Sequence, residues 1–308
     1  MRIRQNGSTI RIDCPAKLNL YLDILSRRSD GYHELETLMV PITIFDTLIF
    51  SANRSGRIQL RCRHGHGRDS AMTGSAGDLP HGMDNIVLKA AEQMRQGADS
   101  SAGLLVTLVK RIPSAAGLGG ASSDAAATLM ATNRLWSRGL DESQLADEAA
   151  RLGSDVPFFL GSGAAVCRGR GENITRLGTI PRLHMVVVKP PVGLSTPTVF
   201  QRCTPTGGMG KLPALLAAAE QSNVSRFTGL FCNQLQPAAD QLSPWIARLR
   251  NAFDQTDVLA HQMTGSGSSY FGVCRHASHA RRVANQIRSA RLGTVYATTT
   301  MTKHYRNN

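Results

Sequence analysis

The sequence predicts a two-domain α+β fold. Strand-like and helix-like segments alternate without strict βαβ repetition, so one doubly wound parallel sheet is not implied. The 308 residues suit two packed domains better than one. Within the first half, a strand, a glycine-rich loop and a helix follow one another directly between 104 and 130.

Taken in order, residues 8–24 contain a period-two stretch. Cys14, Ala16, Leu18, Leu20 and Leu22 fall on one face, and Lys17, Asn19 and Tyr21 on the other. Asp30-Gly31 is a turn signal, followed by an apolar stretch over 38–50. Residues 61–82 are rich in Gly, His and Ser and read as a surface insertion. Its histidines, His64, His66 and His81, read as exposed loop residues, because no cysteine or carboxylate completes a metal-ligand set at proper spacing.

Helical character returns at 85–96, and 104–109 is a clean strand. The helix after the glycine-rich loop opens at Ala125, with Ala125, Leu129 and Trp136 on one stripe. The second half opens near Ala164, and the domains are drawn as 1–166 and 167–308. There the sequence predicts strands at 185–188, 270–274 and 294–301 and helices at 211–221, 239–253 and 277–291.

Bulk properties narrow the class. Hydrophobic residues make up 42%, as in globular proteins. No window approaches the roughly 18 apolar residues of a membrane helix, and the N-terminus lacks the apolar core of a secretory signal. Six scattered cysteines with no CxxC pair argue against zinc and disulfides and for a reduced, cytoplasmic setting. The net charge of +13 fits a nucleic-acid binder or a basic enzyme that handles phosphates. The charges are dispersed. Arg281, Arg282, Arg288 and Arg291 read as the solvated face of a helix that buries Val283 and Ile287.

The chemistry-bearing feature is the loop Pro113, Ser114, Ala115, Ala116, Gly117, Leu118, Gly119, Gly120, Ala121, Ser122, Ser123. Small residues between a strand and a helix let backbone N–H groups approach a polyphosphate. The helix N-terminus adds partial positive charge. A plain turn needs only one or two glycines, not eleven consecutive residues of little bulk. Ser122 and Ser123 offer hydroxyls to phosphate oxygens or a metal. The dinucleotide fingerprint lacks its third glycine, no G-x-x-x-x-G-K-[ST] occurs, and protein-kinase signatures are absent.

Residues 113–122 fit P-x-x-x-G-L-G-[SG]-[SAG]-S and so resemble the second motif of the GHMP kinases, the galactose, homoserine, mevalonate and phosphomevalonate kinase family. Pro15-Ala16-Lys17-Leu18-Asn19-Leu20 resembles the first motif, and Gly265-Ser266-Gly267-Ser268-Ser269 the third. Asp30-Gly31-Tyr32-His33-Glu34-Leu35 and Gly153-Ser154-Asp155-Val156-Pro157-Phe158-Phe159 resemble one branch, whose acceptor carries a cytidine diphosphate group. Ala115, Ala116 and Ala121 stand where relatives often have glycine.

The resemblance implies an N-terminal ATP-binding domain, a C-terminal substrate-side domain, and phosphoryl transfer from ATP to a hydroxyl with Mg²⁺. Residues 113–123 would hold ATP, with Ser123 the candidate metal contact. Asp155, otherwise an ordinary cap or turn aspartate, becomes the candidate base. Lys17, otherwise a solvated edge lysine, becomes its partner at the hydroxyl. Asn19 shares the Lys17 face and could hydrogen-bond the substrate. Tyr32 and His33, otherwise part of a hairpin with a buried aromatic, would read the cytosine. Thr196, Phe200, Gly265, Ser266 and Gly267 are the further substrate contacts. A monomer or weak homodimer is expected. The alternatives are a mevalonate- or homoserine-type kinase, whose substrates have no base to stack, and a basic nucleic-acid-binding protein on the same fold.

Overall fold

The structure, a computed structural model, describes residues 1–65, 84–99, 101–178 and 180–301. Two long strands, β2 (Thr9–Arg27) and β3 (His33–Asn53), form its spine. They pair antiparallel through a tight turn in which Gly31 takes a φ of 85°. Short β1 (Arg2–Asn6) adds to β2. On the far side of β3 lie β5 (Gly103–Lys110) and β4 (Ile58–His64), with β4 parallel to β5. The other end of β3 pairs with β6 (Ala165–Gly169), which pairs with β7 (Asn173–Arg176). A second sheet has the order β10 (Ala260–Met263), β11 (Tyr270–Cys274), β8 (His184–Lys189), β12 (Thr294–Thr299). Two-residue β9 (Cys232–Asn233) crosses to pair with β2.

Both faces of β2 are covered, so everything from Cys14 to Ile24 is buried. One face carries Leu18 and Leu20, which with Val40 and Ile42 of β3 meet Met185, Val187, Phe271 and Val273 of the second sheet. Deleting a ring such as Phe271 from this seam would cost about 3–5 kcal/mol. The opposite side of the first sheet packs on α1 (Ile86–Arg95), α2 (Gly120–Leu135), α3 (Glu142–Leu152) and α4 (Val156–Leu160), where Met39 meets Ala125, Leu129, Val156 and Phe158.

β8 alternates in the same way. Val186 and Val188 turn away from the seam toward α8 (Gln236–Leu242), α9 (Pro244–Asp254) and α10 (Ala277–Ser289). The remaining helices are α5 (Thr196–Arg202), α6 (Leu212–Glu220) and α7 (Val224–Gly229). Arg281, Arg282, Arg288 and Arg291 are exposed, as their spacing on α10 predicts.

The β6–β7 hairpin, whose first strand spans the expected 166/167 boundary, belongs to the first sheet through its pairing with β3. Some expectations about single elements are corrected. The single helix over 239–253 is two, broken at Ser243-Pro244. A proline disfavours the helical region for the residue before it, and Ser243 is extended at φ −152°, ψ 121°. The glycine-rich loop ends earlier than its composition suggests, because α2 begins at Gly120. Residues 61–64 are strand, with His64 exposed at its end, while residues 66–82, with His66 and His81, lie outside the described residues. Among the described residues, no helix is long and apolar enough to cross a membrane.

Candidate active site

The loop between β5 and α2 is held from three sides. The Asp46 carboxylate on β3 accepts from the backbone N–H of Arg111 at 2.5 Å and of Ile112 at 2.8 Å, which sets the loop's departure angle. The Leu118 carbonyl accepts from the Lys17 N–H at 2.9 Å, and the Ala116 carbonyl from the Ser269 N–H at 3.2 Å. The loop is therefore clamped between strand β2 and the turn that precedes β11. Gly117 (φ 71°) lies against that turn: a Cβ there would stand 2.4 Å from the Thr264 carbonyl. Gly119 (φ 68°) would place a Cβ 2.9 Å from both Lys17 Cγ and Phe159 Cζ. Both positions demand glycine, for conformation and for space.

No side chain caps α2, whose N-cap is Gly119. Its first N–H groups are left for an anion, with the helix dipole behind them. Ser122 lines the adjacent cleft. Ser123 does not. It is fully buried, and its hydroxyl has no hydrogen-bond partner among the described residues.

Beneath the loop is a charge cluster that sequence reasoning missed. Lys110 Nζ lies 2.5 Å from Asp46 Oδ2 and 2.8 Å from Asp124 Oδ2, and all three residues are buried. Burial pushes the Asp124 carboxyl up to about 7 against the pull of the lysine, because two carboxylates share one ammonium. The same carboxylates hold the Lys110 ammonium protonated, well above its ordinary range, despite its burial. The cluster pins the end of β5 to the first turns of α2. Only Lys110's place just before the loop hinted at it.

Lys17 and Asp155 meet at the mouth of this loop, with Lys17 Nζ 3.4 Å from Asp155 Oδ2. Lys17 is not the solvated edge lysine that its strand position suggests: its side chain is 4% exposed, whereas that of Asp155 is 36% exposed and open to the cleft. Asn19 orients the lysine. Its Oδ1 accepts from Lys17 Nζ at 2.6 Å, its Nδ2 donates to Thr37 Oγ1 at 2.8 Å, and its backbone N–H donates to Thr264 Oγ1 at 2.9 Å. The Asn19 amide is thus spent inside the protein. Lys17 and Asn19 share a side by strict alternation, and the register shift immediately after Asn19 ends that alternation, so that Tyr21 packs in the cluster of Leu18 and Leu20.

At the other end of the cleft, His33 is buried, with its ring 5.4 Å from that of Phe200 and tilted by 39°. Burial, helped by Arg27, lowers its pKa, so the imidazole is neutral near pH 7. Tyr32 is 54% exposed, and the Arg170 guanidinium sits 5.0 Å from its ring centroid. Thr196 Oγ1 and Ser266 Oγ are 2.8 Å apart, joining α5 to the 265–269 turn.

These groups line one cleft of about 930 Å³, which also reaches the start of α1 at Asn85, Ile86 and Val87. From the expected set, the cleft gathers Lys17, Asn19, Tyr32, His33, Asp155, Thr196, Phe200, Gly265, Ser266 and residues 113–122. Ser123 is behind it. So is Gly267, which faces Met263 and Leu194. Sequence reasoning missed Thr37, Thr264, Arg170 and the start of α1, none of which carries a local motif.

The sequence profile of the GHMP kinases N terminal domain matches residues 85–167, and that of the GHMP kinases C terminal region matches 210–291. The chain is 39% identical over 275 residues to the 4-diphosphocytidyl-2-C-methyl-D-erythritol kinase of Pelotomaculum thermopropionicum, covering 89% of this chain and 92% of that one. The crystal structure of a 4-(cytidine 5'-diphospho)-2C-methyl-D-erythritol kinase superposes with a TM-score of 0.77 at 34% identity, covering 94% of this chain and 98% of that one. A homoserine kinase from Cytophaga hutchinsonii superposes with a TM-score of 0.73 at 18% identity, over 97% of each chain, a likeness of fold alone.

Proposed function

The chain belongs to the GHMP kinases and, within them, to the 4-diphosphocytidyl-2-C-methyl-D-erythritol kinases, and from that premise we propose how its residues divide the reaction. The enzyme transfers the γ-phosphate of ATP to the 2-hydroxyl of 4-diphosphocytidyl-2-C-methyl-D-erythritol, giving the 2-phosphate and ADP, in the non-mevalonate route to isopentenyl diphosphate.

In this reading, the loop over 113–122 and the N-terminus of α2 cradle the polyphosphate, where free N–H groups and the helix dipole meet its charge. Asp155 takes the proton of the 2-hydroxyl as its oxygen bonds to the γ-phosphorus. The bond from that phosphorus to the bridging β-oxygen breaks, and ADP carries the electron pair away. Lys17 donates to the same hydroxyl and lowers the pKa of that hydroxyl. Asn19 and Thr37 hold the lysine in place. Neutral His33 and Phe200 form a slot for the cytosine, with Tyr32 at its outer edge. The observation that carries the reading is the 3.4 Å Lys17–Asp155 pair lying in one cleft with the His33–Phe200 slot.

Magnesium fits as an ion held mainly by the phosphates of ATP. Among the described residues, no three His, Cys, Asp or Glu side chains cluster for a metal. Besides Asp124, which is tied to Lys110, the cleft offers the Ser122 hydroxyl and the Asp84 and Asp155 carboxylates, in keeping with the one or two protein ligands that Mg²⁺ takes beside substrate phosphates. Bound there, it would neutralise charge on the β- and γ-phosphates. Fully buried Ser123 is unsuited to the role.

The test is direct. The purified protein with ATP and magnesium is offered the cytidylyl acceptor, mevalonate and homoserine in parallel. Phosphorylation of the first alone is expected. Phosphorylation of mevalonate or homoserine without the first would overturn the assignment.

A further inference from the structure

We propose that Arg170 is a specificity-determining residue that binds the diphosphate of the acceptor. This rests on the reading in which the acceptor is a cytidine diphosphate compound. Such a molecule has three parts in a row: a base, two phosphates and the polyol that carries the reacting hydroxyl. With the base in the His33–Phe200 slot and the hydroxyl at Lys17 and Asp155, the phosphates must lie between. Both ends already have their polar groups, whereas no positively charged side chain has been given to the phosphates between them.

Arg170 is built into that gap. It sits at the tip of the β6–β7 hairpin, between Gly169 (φ 74°) and Gly171 (φ 121°). The hairpin is anchored to β3, where the Glu34 carboxylate accepts from the Gly169 N–H at 3.1 Å. On one side the Arg170 guanidinium covers the Tyr32 ring at 5.0 Å. On the other, the backbone of its neighbour reaches the reacting centre: a Cβ at Gly171 would stand 3.8 Å from Asp155 Oδ1. One residue therefore touches the base end while its neighbour abuts the hydroxyl end.

The guanidinium is also available. Its backbone N–H is held by Glu172 at 2.7 Å, and its Nε lies 3.6 Å from Glu172 Oε1. Its terminal nitrogens have no hydrogen-bond partner among the described residues, and the side chain is 34% exposed to the cleft it lines. A planar fork with free N–H donors suits phosphate oxygens bidentately, and stacking on Tyr32 pre-orders it. Arg27 lines the same end of the cleft, but it flanks the His33 side and lacks the link to Asp155.

The experiment measures binding of cytidine, CMP and CDP by calorimetry to wild type, Arg170→Ala, Arg170→Lys and Arg27→Ala, beside steady-state kinetics with the acceptor and ATP. Wild type is expected to bind more tightly with each added phosphate. In Arg170→Ala, CDP should weaken by about 10–100-fold, the loss of a charge-assisted pair. Cytidine should weaken by less than about 3-fold, since only the Tyr32 stacking partner is removed. Acceptor KM should rise in parallel while the KM for ATP holds, and lysine should restore part of the loss. An unchanged CDP-to-cytidine ratio in Arg170→Ala would overturn the proposal. So would equal weakening of both ligands, which marks a base or folding effect, or a loss that appears only in Arg27→Ala. Wild type that binds the nucleotide ladder but phosphorylates no acceptor would strike the function reading alone. Wild-type turnover with an unaltered ladder in Arg170→Ala would strike this proposal alone.

Discussion

Lys17 Nζ and Asp155 Oδ2 stand 3.4 Å apart at the mouth of the phosphate loop, with the lysine buried and the carboxylate open to the cleft. The asymmetry suits the division of work proposed above. The buried cation is fixed by Asn19, and the open carboxylate can receive a proton and pass it to water. Asp155→Asn should lower kcat by about 10²–10⁴-fold, the usual size of a lost general base, and leave ATP affinity near wild type. Lys17→Met should cost about as much, and the double variant little more than either, because the two act on one hydroxyl. Steady-state kinetics with nucleotide calorimetry checks this. Full activity in Asp155→Asn would remove it from the mechanism.

Gly117 is where the loop and the 264–269 turn touch backbone to backbone. A methyl at Gly117 would meet the Thr264 carbonyl at 2.4 Å, and φ is 71°. The left-handed conformation alone costs an alanine about 1–2 kcal/mol. A carbonyl held in a turn cannot swing aside as a side-chain tip can. Gly117→Ala should therefore lower the melting temperature and raise the KM for ATP at least tenfold. Gly139→Ala, also at positive φ but with nothing within 4 Å, should show only the stability cost. Equal ATP KM in the two variants would contradict the close-contact argument.

What the sequence disclosed, and what it hid, follows from how local each signal is. Alternation over 8–24 and the strand before Lys110 were legible, because a covered strand shows its period in its own residues. The α8–α9 break is written in Ser243-Pro244, against an apolar spacing that continues on either side. Lys17 looked solvated because strand periodicity says which side a residue faces and not what covers that side. The cover here is the loop, Phe159 and the 264–269 turn, all distant in sequence. The Asp46–Lys110–Asp124 cluster draws on β3, β5 and α2, so no spacing announces it. The place of the β6–β7 hairpin depends on pairing with β3, a partner distant in sequence.

If His33 holds the acceptor's base as proposed, acceptor binding is pH-sensitive in a defined direction. The His33 pKa is lowered by burial, with Arg27 adding to the effect, from an ordinary 6.5. Lowering disfavours the charged form in the fold, so the neutral ring and its stability contribution are present above 6.5 and are lost as pH falls below it. The acceptor KM should be flat above pH 6.5 and rise only below it, while the KM for ATP does not follow. His33→Gln, which keeps a donor and an acceptor but cannot titrate there, should bind within about tenfold of wild type and lose the acidic rise. A rise that survives in His33→Gln would assign the titration to another group.

The buried cluster under the loop predicts opposite outcomes for two neighbouring substitutions. Lys110→Met strands two buried carboxylates, Asp46 and Asp124, and should cost about 3–5 kcal/mol, the cost of breaking a buried pair. Asp124→Asn instead removes the surplus negative charge and keeps an oxygen for Lys110. The Asp124 carboxyl is raised from 3.8 to about 7 by burial. A raised carboxyl binds more protons in the fold than in the unfolded chain. Its stability contribution is therefore complete below 3.8 and is lost as pH rises through about 7. The melting temperature of wild type relative to Asp124→Asn should accordingly fall between pH 4 and pH 8. The difference is the proper readout, because the chain's +13 charge tilts both curves together. A difference that stays constant with pH would mean that Asp124 is ionised throughout, with Lys110 offsetting its burial completely.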